Sequence, residues 1–499
     1  MNCWIITKNN KPLNLKDVPV IPISELRENL IKKIKNHLRV IAFFGKKELE
    51  QIKLYIILAD DINSDILISS SIFNKNDKYP AITPQIPSLH KFEREFYEEF
   101  GIEPIGHPWL KPIRYSKDRF DKSQKIENYP FFVMDGTEIH EVAVGPVHAG
   151  IIEPGHFRFM CNGEKIYDLE IQLGYQHRNI EQLFLKNQKF SLHLAESIVG
   201  DTVIGHSLAY SNAIEALLNL EISKKAALIR IIALEFERIA VHIGDLSAIF
   251  NDIAYIMGNA VFGATRTLVI NTLLEITGSR FGRGLIKAGG VSFDIDSEMA
   301  KKLENMLAKI TKDVERMTET MFSSASVLSR LEKTGTLNKE KAFELGIVGM
   351  AARASGIGLD ARIDHPCEVY KNLNLTKIIK ESGDVYARTS IRCKEIFQSA
   401  EIIRILLSEI AGYEDEQLLF KINSSLNPNN IVVSIVEGWR GEIVHTVITD
   451  NKGELSRYKI KDPSFNNWFG LAVAVRNNGI SDFPLCNKSF NLSYCGNDL

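Results

Sequence analysis

AALIRIIALEFERIAVHIGDLSAIF, residues 226–250, decides the fold class of this chain. Its apolar residues run around most of a helical circumference, the mark of a helix buried in a large core or in a membrane. Arg230, Glu235, Glu237, Arg238, His242 and Asp245 break the run. No uncharged span of about 18 residues is left, so the segment reads as a core helix and not as a membrane span. Glu235, Arg238 and His242 fall at i, i+3 and i+7 on one face. Buried charges are paired or they neutralise. Two readings follow: an internal salt bridge that keeps helices in register, or a polar path for protons or an acceptor. The first is the stronger on these residues alone.

Working outward, helical periodicity dominates from His177 to about Leu407, with a second long amphipathic pattern from Asp294 to Leu331. Upstream, EIHEVAVGPVHAGIIEPGHFRFMCNGEKIYDLEIQLGY reads as strands punctuated by Gly and Pro. Downstream, IVVSIVEGWRGEIVHTVITD, an Asn-Lys-Gly turn and ELSRYKIKD restore a β pattern near Ile431. The N-terminal part reads as a small α/β unit. Leu26, Leu30, Ile31 and Ile34 follow Ser24 at helical spacing, three β-rich runs come next (RVIAFFG, IKLYIILAD, DILISSS), and SLHKFEREFYEEFGI closes it as a helix. The polar run Ser116 to Asn128 reads as a linker. The fold class expected is α+β: an α/β domain over 1–125, then a large, mostly helical domain over 126–499 with strands at its start and in its C-terminal region. Limited proteolysis is expected to nick between Ser116 and Asn128 and to release a stable N-terminal fragment.

The chain has 499 residues, 45% hydrophobic and 24% charged, which suits a folded globular protein of two or three domains. Lys and Arg total 60 against 62 for Asp and Glu, so no basic field exists to hold nucleic acid. The six cysteines form no C-x-x-C pair, which fits a reducing compartment. The first residues, MNCWIITKNNKPLN, lack the apolar core of a signal peptide. A cytoplasmic location is expected.

Three segments carry chemistry. Gly145-Pro146-Val147-His148 and Glu153-Pro154-Gly155-His156-Phe157-Arg158 crowd two imidazoles, a carboxylate and a guanidinium into turns, where sites are often built. A structural role for the histidines weighs about equally. TGSRFGRGLIKAGGV (277–291) has five glycines and three cations but the order of neither common phosphate-binding motif, so a close approach of backbone segments is the better reading. No nucleophile elbow and no H-E-x-x-H occurs.

FEREFYEEFGIEPIGHPWLKPIRY (92–115) resembles the signature of the 30 kDa subunit of complex I, with Glu98 where that signature has Asp. GPVHAGIIEPGHFRF through LGYQHRNIEQL (145–183) is similar to the start of the 49 kDa subunit, and more so to the large subunits of group 4 membrane-bound [NiFe] hydrogenases. ALEFERIAVHIGDL, GLDARIDHP, GDVYARTSIRCKEI, VEGWRGE and KDPSF continue the likeness in order. The fusion of both parts resembles the large subunit of formate hydrogenlyase and hydrogenase-4.

The resemblance implies four thiolate ligands for nickel and iron, the soft donors such a centre demands. The positions that match them hold Val199 and Thr202 in ESIVGDTVIGHS, and Ser493 and Gly496 in SFNLSYCGNDL. Cys495 is one residue out of register and Cys486 lies further upstream. The implied function is therefore that of a hydrophilic-arm subunit of a membrane-bound, energy-converting oxidoreductase without a metal ligated by this chain. Electrons would pass to a quinone or another acceptor, coupled to ion movement. The implied partners are a small iron–sulfur subunit and antiporter-like membrane subunits, with the chain peripheral on the inner face of the cytoplasmic membrane. His148, Glu153 and Asp201 are the candidate catalytic groups; His148, His156 and His206 are candidates for lining a quinone or acceptor pocket. An inactive structural or assembly subunit, and an unusual nickel hydrogenase, stay open as alternatives. The tail adds one geometric expectation. Phe490, Leu492 and Tyr494 alternate with Asn491, Ser493 and Cys495, the period of a half-buried strand, which would place Ser493 close to Val199 or Thr202.

Overall fold

The computed structural model describes residues 3–150, 152–187, 191–422 and 424–499, so Ile151 of the 145–158 loop lies outside the described residues. It is α+β, as the sequence patterning implies.

The three β-rich runs near the N-terminus form antiparallel strands Arg39–Glu48, Gln51–Asp60 and Asp65–Asn74, and Ile5–Thr7 adds the fourth edge. Residues 52–59 are buried at every position, which alternation with one wet face does not produce. The reason is that both faces of this sheet are covered. One face takes the helices Ile23–Lys35 and His90–Phe100 through Leu26, Leu30, Phe43, Ile56, Phe92 and Phe96. The other packs Ile41, Phe44, Tyr55 and Ile57 against Ile431, Val433 and Ile448 of a second sheet. That sheet runs Leu455–Lys461, Glu442–Thr449, Asn430–Glu437, and its last edge is Leu13–Asn14 from the other end of the chain. The first 74 residues thus share a core with the last 80, and the segment 1–125 is not closed on itself.

The long helix is Lys224–Asp252, started by Ser223, whose hydroxyl accepts from the Ala226 amide at 3.2 Å. It packs against Val385–Ile410 and Ile256–Thr277. Ser297–Phe322 buries Leu303, Leu307, Ile310, Val314, Met317 and Met321, spaced three or four apart, as the amphipathic pattern requires. The glycines of 277–291 serve close approach. Gly290 has φ +145, and a Cβ there would meet the Leu418 carbonyl oxygen at 1.9 Å. Phe420 N donates to Gly289 O at 3.0 Å and Val291 N to Leu418 O at 2.9 Å, so the turn is stitched to the 418–420 backbone.

The tail corrects one expectation. Residues 489–495 form no strand: Phe483–Phe490 is helical, Asn491 turns left-handed at φ 47, and Ser493 caps a short helix Tyr494–Asp498 by accepting from Gly496 N at 2.9 Å. Six alternating residues are too few to separate a strand from two helix ends joined by an αL residue, and Asn and Ser are the residues that favour those positions. The expected burial does hold. Ser489, Phe490, Leu492, Ser493 and Tyr494 are all buried.

Candidate functional site

The four positions that match thiolate ligands come from two distant parts of the chain, and both parts are buried. Val199 and Thr202 precede the helix Val203–Leu218, and Ser493 and Gly496 open the last helix. The two ends meet. A Cβ on Gly496 would lie 2.9 Å from Val199 Cγ2 and 2.7 Å from Asp462 Cγ. No side chain fits at 496 without displacing Asp462.

A guanidinium organises the surface beside them. Arg440, in the turn between Asn430–Glu437 and Glu442–Thr449, donates to both oxygens of Asp201 at 2.6 and 2.8 Å. It also reaches Thr202 Oγ1 at 3.1 Å and, through Nε, the Asn491 carbonyl at 2.5 Å. Its planar head stacks on Trp439, 3.8 Å from the ring centre, and Trp439 Nε1 donates to Asp201 O at 3.0 Å. Arg440 is buried while about a third of the Asp201 side chain is exposed, so the pair faces outward at the carboxylate.

The candidate residues separate into three places. Asp201 stands in the Arg440 pair. Glu153 reaches the tail, its carboxylate accepting from Tyr494 N at 3.2 Å at the start of the last helix, where the dipole favours an anion. His148 folds back on its own loop through Nε2 and the Gly155 carbonyl at 2.9 Å. His156 lies against Phe131, ring centres 4.8 Å apart, and burial, with the positive charge of Arg158, holds its imidazole below the usual range. His206 lies inside, fully buried, with Nδ1 3.1 Å from His445 Nε2 and Nε2 3.2 Å from Asp462 Oδ2. Burial and then the neighbouring His206 push His445 well below its usual range. Burial works to raise the Asp462 carboxyl, but the hydrogen bond and charge of His206, with Arg440, outweigh it. His206 thus ties the 203–218 helix to the second sheet, away from the exposed edge.

Residue-level reading gave no role to Arg440, Asp462 or Glu237. Arg440 sits inside VEGWRGE, and the signal was available: an Arg beside a Trp between two β runs. Glu237 accepts from Ile204 N at 2.7 Å and Gly205 N at 3.1 Å, capping the 203–218 helix from a neighbouring helix. Burial pushes its carboxyl up to about 8, with repulsion from Asp201 adding and the two amide bonds opposing.

Behind the site runs a buried charged seam. Glu235 pairs with Arg238 at 3.1 Å and with Arg362 at 3.4 Å; His242 meets Glu395 at 2.8 Å; Arg353 meets Glu395 at 2.5 Å and Glu437 at 2.9 Å. Asp245 takes Arg392 at 3.0 Å, and also Asn491 at 2.7 Å. The face read from i, i+3 and i+7 spacing therefore holds helices 224–252 and 385–410 in register, and Asn491 links it to Arg440.

Residues 24–130 match the family described as respiratory-chain NADH dehydrogenase, 30 Kd subunit, and residues 252–424 and 415–498 match the 49 Kd subunit. Hydrogenase-4 component G of Escherichia coli is 28% identical over 454 residues, covering 87% of this chain and 78% of that protein. The C/D protein of the NADH-quinone oxidoreductase of Phocaeicola vulgatus is 25% identical over 485 residues, 88% of this chain and 91% of that one. In the solved structure of the membrane-bound sulfane sulfur reductase, an archaeal respiratory membrane complex, one chain shares the fold with a TM-score of 0.67 at 21% identity, over 74% of this chain and 100% of that one. This chain belongs to the family of fused 30 kDa/49 kDa-type subunits of complex I and its membrane-bound hydrogenase relatives. Among the described residues no helix is long and apolar enough to cross a membrane.

Proposed function

We propose that this chain is the peripheral-arm subunit of a membrane-bound, energy-converting oxidoreductase, and that it works without a nickel–iron centre. The observation that carries the second half is the donor set: Val199 and Gly496 meet in the buried interior, and neither they nor Thr202 and Ser493 offer a thiolate. The tail thiols do not substitute. Cys495 is one residue out of register and its Sγ lies 3.3 Å from Ser493 Oγ, while Cys486 packs elsewhere, against Gly335, where a Cβ would meet its Sγ at 2.7 Å. The residues present do not fit a four-thiolate centre, and the chemistry passes to the oxygen and nitrogen groups around Asp201.

Relatives named as hydrogenase and NADH-quinone oxidoreductase subunits, and a fold shared with a chain of a respiratory membrane complex, support membrane subunits as partners; a small iron–sulfur subunit belongs to the proposal through the sequence resemblance alone. The surface supports a docked neighbour as well. Phe132, Val133, Val147 and Ile152 are exposed on a stretch that leads into Glu153, which itself touches the tail. At the open edge, Asp201, held from behind by the buried Arg440, offers a carboxylate to the hydroxyl of an acceptor. A quinone bound there would take up two electrons and two protons. Arg440 would fix the Asp201 carboxylate, and that carboxylate would accept a hydrogen bond from the hydroxyl of the reduced acceptor.

The experiment is elemental analysis and acceptor reduction on the intact complex purified without a polyhistidine tag. The reading expects no stoichiometric nickel, no hydrogen uptake or evolution, and quinone reduction that falls at least tenfold in Asp201→Asn with the complex still assembled. One nickel per chain overturns it. A scaffold role is favoured by one observation, the mutual pairing of Asp201 and Arg440, and Asp201→Asn with unchanged electron transfer would establish that role instead.

A further inference from the structure

A cavity of about 620 Å³ lies between the helices 203–218 and 224–252, the segment 361–372 and the strand Asn430–Glu437. Its volume lies in the range of small-molecule sites. We propose that it is a binding site for a small amphipathic organic cation, an apolar body carrying one ammonium or amidinium head.

The inner wall asks for an apolar body. Leu208, Leu228, Ile231, Leu234, Leu406 and Val436 line it. The charged groups that reach the interior are already committed. Arg230 is bidentate to Glu215 at 2.9 and 2.6 Å, Arg362 is held by Asp360 at 3.0 and 2.7 Å, and Glu437 takes Arg353 at 2.9 Å and Ala361 N at 3.1 Å. A polar group pushed to the bottom would lose its water, and among the buried side-chain atoms of the described lining only His365 Nδ1 lacks a partner to offer it.

The rim asks for a positive head. The charged lining residues open to solvent are Glu221, Lys224, Glu368 and Glu409. Lys224 lies over the Tyr413 ring at 5.1 Å, and Glu368 is paired with Lys371 at 3.1 Å. Among the described residues Glu221 and Glu409 lie within ion-pair distance of no cation, so two carboxylates outweigh one ammonium and the mouth of the apolar hole is negative. A cationic head is drawn to it and an anionic one is repelled. The inference is independent of the electron acceptor, because the lining excludes Asp201 and Arg440.

The test is calorimetric titration of the full chain at low salt with three probes of equal length: octylammonium, octanol and octanoate. Octylammonium should bind saturably at one site, octanol more weakly, and octanoate at least tenfold more weakly than octylammonium. Ala227, on the wall, gives the blocking variant: Ala227→Phe should abolish binding, and Ala227→Leu gives the same readout if the larger ring unfolds the chain. Glu221→Gln with Glu409→Gln should weaken octylammonium about threefold and leave octanol unchanged, the size expected of exposed charges. Equal binding of octylammonium and octanoate overturns the proposal. So does an absence of saturable binding, or binding that survives both Ala227 variants with unchanged affinity.

Discussion

Replacing Glu395 by Ala tests whether the charged seam holds the helices together. Glu395 is fully buried, with Oε1 bonded to Arg353 at 2.5 Å, Oε2 to His242 at 2.8 Å, and Arg238 at 3.8 Å. The change leaves His242 without this partner. Arg353 keeps Glu437 and Arg238 keeps Glu235, so the compensation is partial. Breaking a buried pair from one side costs about 3–5 kcal/mol. A central figure of about 4 kcal/mol is a large share of the roughly 5–15 kcal/mol that holds a folded domain, and it raises the unfolded fraction by about three decades. The assay is denaturant unfolding followed by tryptophan emission, since Trp439 lies 6.2 Å from His242 and reports the seam directly. Glu395→Gln, which keeps the volume and one acceptor, should fall between the two. The control is Glu344→Ala, which removes an exposed partner of Lys341 and should cost at most about 0.5 kcal/mol. A loss for Glu395→Ala no larger than the control's, at most about 0.5 kcal/mol, would refute the claim that the seam carries registration energy.

Glu237 predicts a pH dependence of opposite sign to the usual carboxylate. Its folded pKa, about 8, lies above the unfolded value, so its contribution is fully present below about pH 4.5 and is lost as pH rises toward 8; Glu237→Gln, fixed neutral, should flatten the stability slope across that window in melting curves. Glu442 behaves in the ordinary sense: Arg39 and Lys461 overcome its burial and hold it down at about 2, so its contribution is present above about pH 4.5 and fades on acidification, a loss that Glu442→Gln should remove. Deleting the last eleven residues strips Phe490, Leu492, Tyr494 and Leu499 from the core, each worth about 1.5–3 kcal/mol, and the truncated chain should fail to melt cooperatively or to assemble, as read by calorimetry and gel filtration. Limited proteolysis between Ser116 and Asn128 should leave two pieces that stay together in native gel filtration and part only in denaturant, because Leu13–Asn14 is paired with Asn430–Ile431 and the two sheets share a core.

The sequence by itself determined the α+β class, the order of the β and helical regions, and the resemblance to fused complex I and hydrogenase subunits. These rest on local periods and short motifs. The 226–250 run announced its helix because 3.6-residue spacing is a property of neighbours in the chain, and the charges within it announced buried pairing because a buried ion needs a partner. The partners themselves were not legible. Glu395 lies 153 residues from His242, and nothing local to either one names the other. The site divided in the same way. The positions of Val199, Thr202, Ser493 and Gly496 were readable by register, and so was the burial of the tail. Whether a side chain could stand at 496 depended on Asp462, and whether Asp201 was free depended on Arg440, 239 residues away. Helix against strand for residues 489–495 was decided by the pocket the tail enters, since a six-residue alternation fits either form and packing selects between them. Only the tertiary structure could show that the first sheet has no wet face. Both of its sides are covered by segments distant in the chain, and burial is set by what arrives from elsewhere.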